Sequence, residues 1–330
     1  MQTKLDGLGT TQAWFSYLGT LKSCLEYLGN ETSRPWLYGG TGLAFTMNMA
    51  PDADPAGPIA WDVLCVNDCS PTHPGMVSRL STNLGFRTKS VCACAYGAHT
   101  DTEAARKAAW DLVRGAIDEG LPCIAHELEV PSFSVVNGYD ETGYLYLVPG
   151  ENKVPYEQAG PAPWAKLGNM IGWVHAEAIV PCDPAPDEVV VRDALRELVE
   201  RMGRPNPGSY FIAGLDGYEA WASGLERGQA QGFGHRYNTA IWLELRQEGV
   251  TFLKEAKQRL PGRVDGLIDE ALGWYEIARS KLAHLHVLHP PAHIEGERIQ
   301  SDDAAQLLRE ARQAEEKGLP VLGKIAEALG

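Results

Sequence analysis

The sequence predicts an α+β N-terminal domain followed by an all-α C-terminal domain, and three observations carry that prediction. Gly120–Gly150 holds three short runs rich in β-branched and aromatic residues, Leu121–Leu128, Phe133–Asn137 and Tyr144–Val148. Gly-Tyr-Asp-Glu-Thr-Gly separates the last two and reads as a hairpin turn, so three adjacent antiparallel strands are expected at the centre of a sheet. After Asp187 the composition changes, and the rest of the chain reads as helix.

The elements follow in order. Thr10 or Thr11 is placed to cap a first helix that runs to about Leu28 and ends at Gly29-Asn30. Its apolar stripe is Trp14, Tyr17, Leu18, Leu21, Leu25 and Leu28; a second stripe, Ser16, Thr20 and Ser23, is small and polar. Tyr38-Gly39-Gly40-Thr41-Gly42 reads as a tight glycine loop without the Lys-Ser/Thr of a phosphate loop. Asp52–Pro58 reads as surface loop, Ala60–Val66 as a strand, His73–Gly85 as a short helix and Ser90–Tyr96 as a strand. Thr100 and Glu103 form a capping box for a helix that Gly120 closes. Gly150–Trp164, rich in Pro and Gly, reads as loop, and the apolar run Met170–Val180 closes a domain spanning 1–185. Helix first, then strands with helices outside, is an α+β order.

Within 186–330, helices are expected at Val189–Met202, Tyr218–Arg227, Tyr237–Arg259, Val264–Leu288, Ala304–Lys317 and Pro320–Leu329. Val264, Ile268, Ala271, Tyr275, Ala278, Leu282 and Leu285 form a seam at spacings of four and three, which suits a helical bundle.

The 330 residues allow one large or two ordinary domains, and a net charge of −14 argues against nucleic-acid and anionic-membrane partners. No basic stretch leading into an apolar run follows Met1, and no apolar run reaches the roughly 18 residues of a membrane span. A cytoplasmic protein is expected. The seven cysteines are odd in number and lie mostly in apolar runs, which fits buried reduced thiols; Cys65/Cys69 and Cys92/Cys94 lack zinc-site spacing.

The pattern Gly-x-Pro-hydrophobic, here Gly120-Leu121-Pro122-Cys123, followed by Val135-Val136-Asn137-Gly138-Tyr139-Asp140, resembles papain-like cysteine peptidases of the bacteriocin-processing type. It is more similar to the N-terminal domain of butirosin biosynthesis protein H, an acyltransferase-related branch of that fold. The resemblance covers about residues 10–180 and implies a helix packed on an antiparallel sheet. It implies a thiolate at a helix N-terminus and a histidine just before the Val-Val pair. Here the histidine position holds Phe133 or Ser134, and counting back about a dozen residues from Leu28-Gly29 puts the nucleophile near Ser16, in the second turn.

The chemistry needs a thiolate stabilised by first-turn N–H groups and an imidazole beside it. Cys24 is the tempting nucleophile, but it lies about 13 residues, roughly 20 Å, past the expected cap and continues the apolar stripe. Ser16 without a base is a weak nucleophile. Asp140 reads as a turn residue. His126 is the alternative base on a neighbouring strand, with Glu127 pointing to the opposite face; His235 is a remote one. If the fold survives as a binding module, Gln12, Trp14, Ser16, Tyr38, Glu127, Glu129, Phe133 and Ser134 are the candidate lining, with Glu127 and Glu129 otherwise on a solvated strand face. The expected partner is then a small molecule or a peptide, with no cofactor. The rival is an active cysteine-dependent acyltransferase or amide hydrolase.

Two further features stand apart. His284–His293 has four histidines in ten residues, of which His286, His289 and His293 would share a helical face; Pro290-Pro291 ends the helix before the third. A metal-dependent helical protein is the corresponding alternative, and His⁺ at a helix C-terminus is the plainer account. Gly214–Trp221, followed by Phe233-Gly234-His235-Arg236-Tyr237-Asn238, interleaves aromatics with Glu, His and Arg.

Overall fold

The small polar stripe on the first helix decides where that helix begins. In the computed structural model Ser23 Oγ accepts the Thr11 N–H at 2.7 Å and bonds Thr11 Oγ1 at 3.1 Å. A Cβ on Gly19 would lie 2.6 Å from the Thr11 carbonyl oxygen, so only glycine admits the chain here. Residues 11–13 thus run back along the helix instead of capping it. Helix α1 is Ser16–Tyr27, starting at Ser16 and not at Thr10 or Thr11.

The structure describes residues 2–49, 75–94, 101–149, 156–202, 212–229, 233–290 and 301–330. The strand expected at Ala60–Val66 lies outside them, as does Thr100; the helix expected to start there is capped instead by Asp101, whose side chain accepts the Ala104 N–H at 3.0 Å. The described elements are β1 (Thr3–Lys4), α1, α2 (Arg34–Gly40), β2 (Asn48–Met49), α3 (Met76–Leu80), β3 (Phe86–Cys94) and α4 (Thr102–Asp118). Next come β4 (Cys123–His126), β5 (Phe133–Tyr139), β6 (Gly143–Pro149), β7 (Tyr156–Pro163) and β8 (Trp173–Pro181). The rest are α5 (Asp187–Met202), β9 (Ile212–Ala213), α6 (Leu215–Glu226), α7 (Phe233–Arg259), α8 (Asp265–Leu288) and α9 (Ser301–Ala328). The class is α+β.

The chain divides into two compact units, Met1–Ser33 with Val63–Pro184, and Arg34–Asp62 with Ala185–Gly330. The second break falls beside residue 185; the excursion of 34–62 into the second unit has no counterpart in the periodicity.

In the first unit the strands are antiparallel in the order β3-β8-β4-β5-β6-β7, with β1 on β5. The three expected strands are the adjacent β4, β5 and β6. Tyr17 of α1 meets Phe133 edge-on at 5.1 Å. A bulge between Val136 and Gly138 shifts the register, and the far end of β5 meets a different helix. There Trp110 of α4 packs on Tyr139 and Tyr144. The stretch expected as loop after Gly150 is partly strand. β7 lies at the sheet edge, where Pro161 and Pro163 remove no ladder bond to a further strand.

In the second unit the glycines of Tyr38-Gly39-Gly40 belong to a helix, not a loop. A Cβ on Gly39 would fall 2.0 Å from the Phe252 ring, so the glycine is there for close packing. The seam Ile268, Ala271, Tyr275, Ala278, Leu282 and Leu285 is buried as its spacing requires. α9 is one helix where a break before Pro320 was expected. Glu316, whose carbonyl loses its partner, and Pro320 are both exposed, so water can serve that carbonyl while the buried stripe stays in phase. Arg246, fully buried, binds Glu315 through Nε and Nη2 and the carbonyls of Ala44 and Thr46 through Nη1. Tyr218 donates to the same carboxylate at 2.7 Å.

Candidate functional site

Ser16 is the first residue of α1. Its preceding residue, Phe15, supplies no side-chain cap, and no acidic residue stands in the first turn. Ser16 Oγ accepts the Phe133 backbone N–H at 3.2 Å. The two positions that the resemblance gives to nucleophile and base are therefore in direct contact, and they carry a hydroxyl and a benzyl ring. The Ser16 hydroxyl keeps its own proton to donate.

Behind this contact lies a packed cluster of rings. His126 is the cross-strand partner of Phe133; its ring is 4.7 Å from that of Phe133 and 4.4 Å from that of Trp173. Burial, then the neighbouring His175, push its pKa down to about 3. It is a neutral imidazole at ordinary pH, and it makes no hydrogen bond to Ser16. Its Nδ1 has no hydrogen-bond partner.

Glu127 corrects two expectations. It is neither solvated nor turned away from His126. It is the one non-glycine at positive φ among the described residues, at 59°, which ends the strand alternation. Its carboxylate lies 4.0 Å from His126 Nδ1 and accepts the N–H of Met170 at 3.0 Å and of Ile171 at 3.1 Å. Burial raises its pKa, against the pull of the two N–H groups and Arg106. Arg106 holds the same loop, donating to the Leu167 carbonyl and to Asn169 Oδ1, each at 2.8 Å.

The other candidates divide. Trp14, two residues before Ser16, is 44% exposed; Val130 in the β4–β5 turn and Met170 beside Glu127 are 56% and 59% exposed. Gln12 is exposed just ahead of Trp14. Gln12 and Trp14 precede the start of α1, Val130 precedes the start of β5, and Met170 is tied through its N–H to Glu127 just past β4. Glu129 is also exposed and accepts from Tyr146 Oη at 2.8 Å; burial, then this bond, pushes the tyrosine up to about 12. Ser134 follows Phe133 on the strand and so turns to the opposite face. Asp140 is a turn residue, accepting from the N–H of Thr142 and Gly143 and from Thr142 Oγ1, and these bonds hold its pKa below the usual range. Tyr38 belongs to the second unit. It is buried there and donates to Glu244 at 2.9 Å.

Cys24 is fully buried, its Sγ 3.9 Å from the Cys123 carbonyl; burial, then Cys123 and Glu177, push the thiol well up. Cys123 and Cys182 are also free thiols. Cys92 is disulfide-bonded, so the cysteines are not all reduced. No cysteine–imidazole hydrogen bond occurs among the described residues.

In the second unit, His235 Nδ1 accepts from Trp221 Nε1–H, and its Nε2 faces His289 Nδ1 at 3.0 Å. Burial, then His289 and Arg236, lower the His235 pKa to about 3, and both of its ring nitrogens are engaged within the second unit. His286 Nδ1 pairs with Thr239 Oγ1. His293 lies outside the described residues, and among those described no three potential ligands converge on a metal position.

His175 and Glu177 were missed. Trp173, His175 and Glu177 alternate along β8 and share a face, a period-two signal hidden in a run that reads simply as apolar. His175 Nε2 is 3.7 Å from the Glu177 carboxylate, whose oxygens are buried without hydrogen bonds. Compared with protein-family models and with curated proteins, the chain matches none.

Proposed function

We propose that the N-terminal unit is a papain-like module of the butirosin-biosynthesis-protein-H type that has lost catalysis, and that it binds a small molecule or a peptide beside Ser16. The observation that supports this is that Ser16 Oγ is met by the Phe133 backbone N–H and, among the described residues, hydrogen-bonds no imidazole. A serine without a base stays protonated and does not attack. The same hydroxyl, at the positive end of a 12-residue helix, with exposed Trp14 two residues before it and exposed Val130 three residues before Phe133, suits a ligand carbonyl or carboxylate with an apolar body.

The test pairs binding with turnover. The fluorescent anion 8-anilinonaphthalene-1-sulfonate is expected to bind saturably, and Trp14→Ala and Met170→Ala together to weaken it at least about ten-fold. p-Nitrophenyl acetate hydrolysis is expected to be equal in the native and Ser16→Ala proteins. Turnover that disappears with Ser16→Ala, or with Cys24→Ala, would establish an active enzyme instead.

A further inference from the structure

His235, Asn238, Trp242 and Arg246 follow one another along α7 at spacings of three and four, and so lie on one face of it. All four are buried. The outer two are saturated: His235 by Trp221 and His289, Arg246 by Glu315, Tyr218 and the Ala44 and Thr46 carbonyls. The inner two are not. Asn238 Oδ1 and Trp242 Nε1 have no hydrogen-bond partner, although each residue is only 1% exposed. A buried donor or acceptor left unmet carries its full desolvation penalty, and native interiors seldom leave one so.

Three carbonyls of the neighbouring backbone are already taken. Residues 44–49 run beside this face from Arg246 to Asn238. The Ala44 and Thr46 carbonyls are taken by Arg246, and the Met47 carbonyl by the Gly214 N–H at 2.7 Å. Asn238 Nδ2 faces Met49 Sδ at 3.9 Å, which turns Oδ1 away from that sulfur. One face therefore presents an unused acceptor and an unused donor one helical turn apart.

We propose that Asn238 and Trp242 form a binding site, within the second unit, for a neutral ligand bearing a primary carboxamide. The ligand N–H donates to Asn238 Oδ1, and its carbonyl accepts from the Trp242 indole N–H. A carboxylate would set its charge against Oδ1, and an ammonium group has no acceptor for the indole. The charge of Arg246 is already matched by Glu315, so an anion gains nothing there. The site is independent of the one beside Ser16.

The test uses the full chain labelled with ¹⁵N. Its nine tryptophans give nine indole signals, and Trp242→Phe identifies the one that matters. Benzamide, benzoate and benzylamine share a ring and differ in the polar group. Benzamide is expected to shift the Trp242 indole signal saturably, with the other two at least ten-fold weaker. Asn238→Leu is expected to abolish the shift while raising the thermal midpoint, since it removes an unmet polar group. An unmoved Trp242 signal, equal shifts by all three probes, or a shift that survives Asn238→Leu would overturn the proposal. Should the leucine variant not fold, calorimetry on Trp242→Phe decides: unchanged benzamide affinity overturns it, and a five-fold or greater loss supports it.

Discussion

His126 stays neutral in the folded chain until about pH 3, whereas an unfolded histidine takes its proton near pH 6.5. Between those values the unfolded chain binds the extra proton. The stabilisation is complete above about pH 6.5 and is lost as pH falls toward 3, at about 1.4 kcal/mol per pH unit. His235 acts with the same sign. His126→Phe is therefore expected to reduce the fall in thermal midpoint between pH 7 and 4; an unchanged pH dependence would refute the assignment. At Ser16 the helix start can be probed directly. The thiol introduced by Ser16→Cys should react with iodoacetamide at pH 7 at least about ten times faster than Cys24 or Cys123, because first-turn N–H groups lower its pKa. Mass spectrometry of the labelled peptides reads the outcome. The contact of position 16 with 133 was legible through the resemblance, because Leu28-Gly29 anchors the count back to Ser16 and the Val135-Val136 pair points to Phe133 or Ser134. The role of Glu127 was not: its left-handed backbone breaks the alternation on which strand reading depends.

At the scale of elements, hydrophobic period sufficed where one face alone is buried, as along α8. It misled where chain passes close to chain. The Gly39-Gly40 pair looks like a loop until Phe252, far away in sequence, is seen to fill the space beside it. Gly39→Ala forces a methyl into that ring and is expected to destabilise the protein by about 2 kcal/mol or more, measured by urea denaturation. Pro320 misled in the other direction. Proline is a stop signal for an isolated helix, yet burial on both sides of it keeps α9 continuous. Pro320→Ala restores the missing bond at an exposed position and is expected to stabilise by about 1–3 kcal/mol. A loss of stability would mean that the proline is required where it stands.

For the molecule as a whole, the long-range polar network of the second unit was beyond sequence reading, since Arg246 and Glu315 lie 69 residues apart and neither belongs to a local motif. Arg246→Met strands the Glu315 carboxylate in the core, with an expected cost of about 3–5 kcal/mol. Adding Glu315→Leu to that variant should recover much of the loss; a double variant as weak as the single would show that packing, not charge, is what fails. The grip of Glu127 on the N–H groups of Met170 and Ile171 has a different reach. Because main-chain atoms alone engage that carboxylate, the identities of the Met170 and Ile171 side chains are not fixed by it. Descendants of this chain can exchange Met170 for another residue, and so alter the binding proposed beside Ser16, while the sheet beneath keeps its shape.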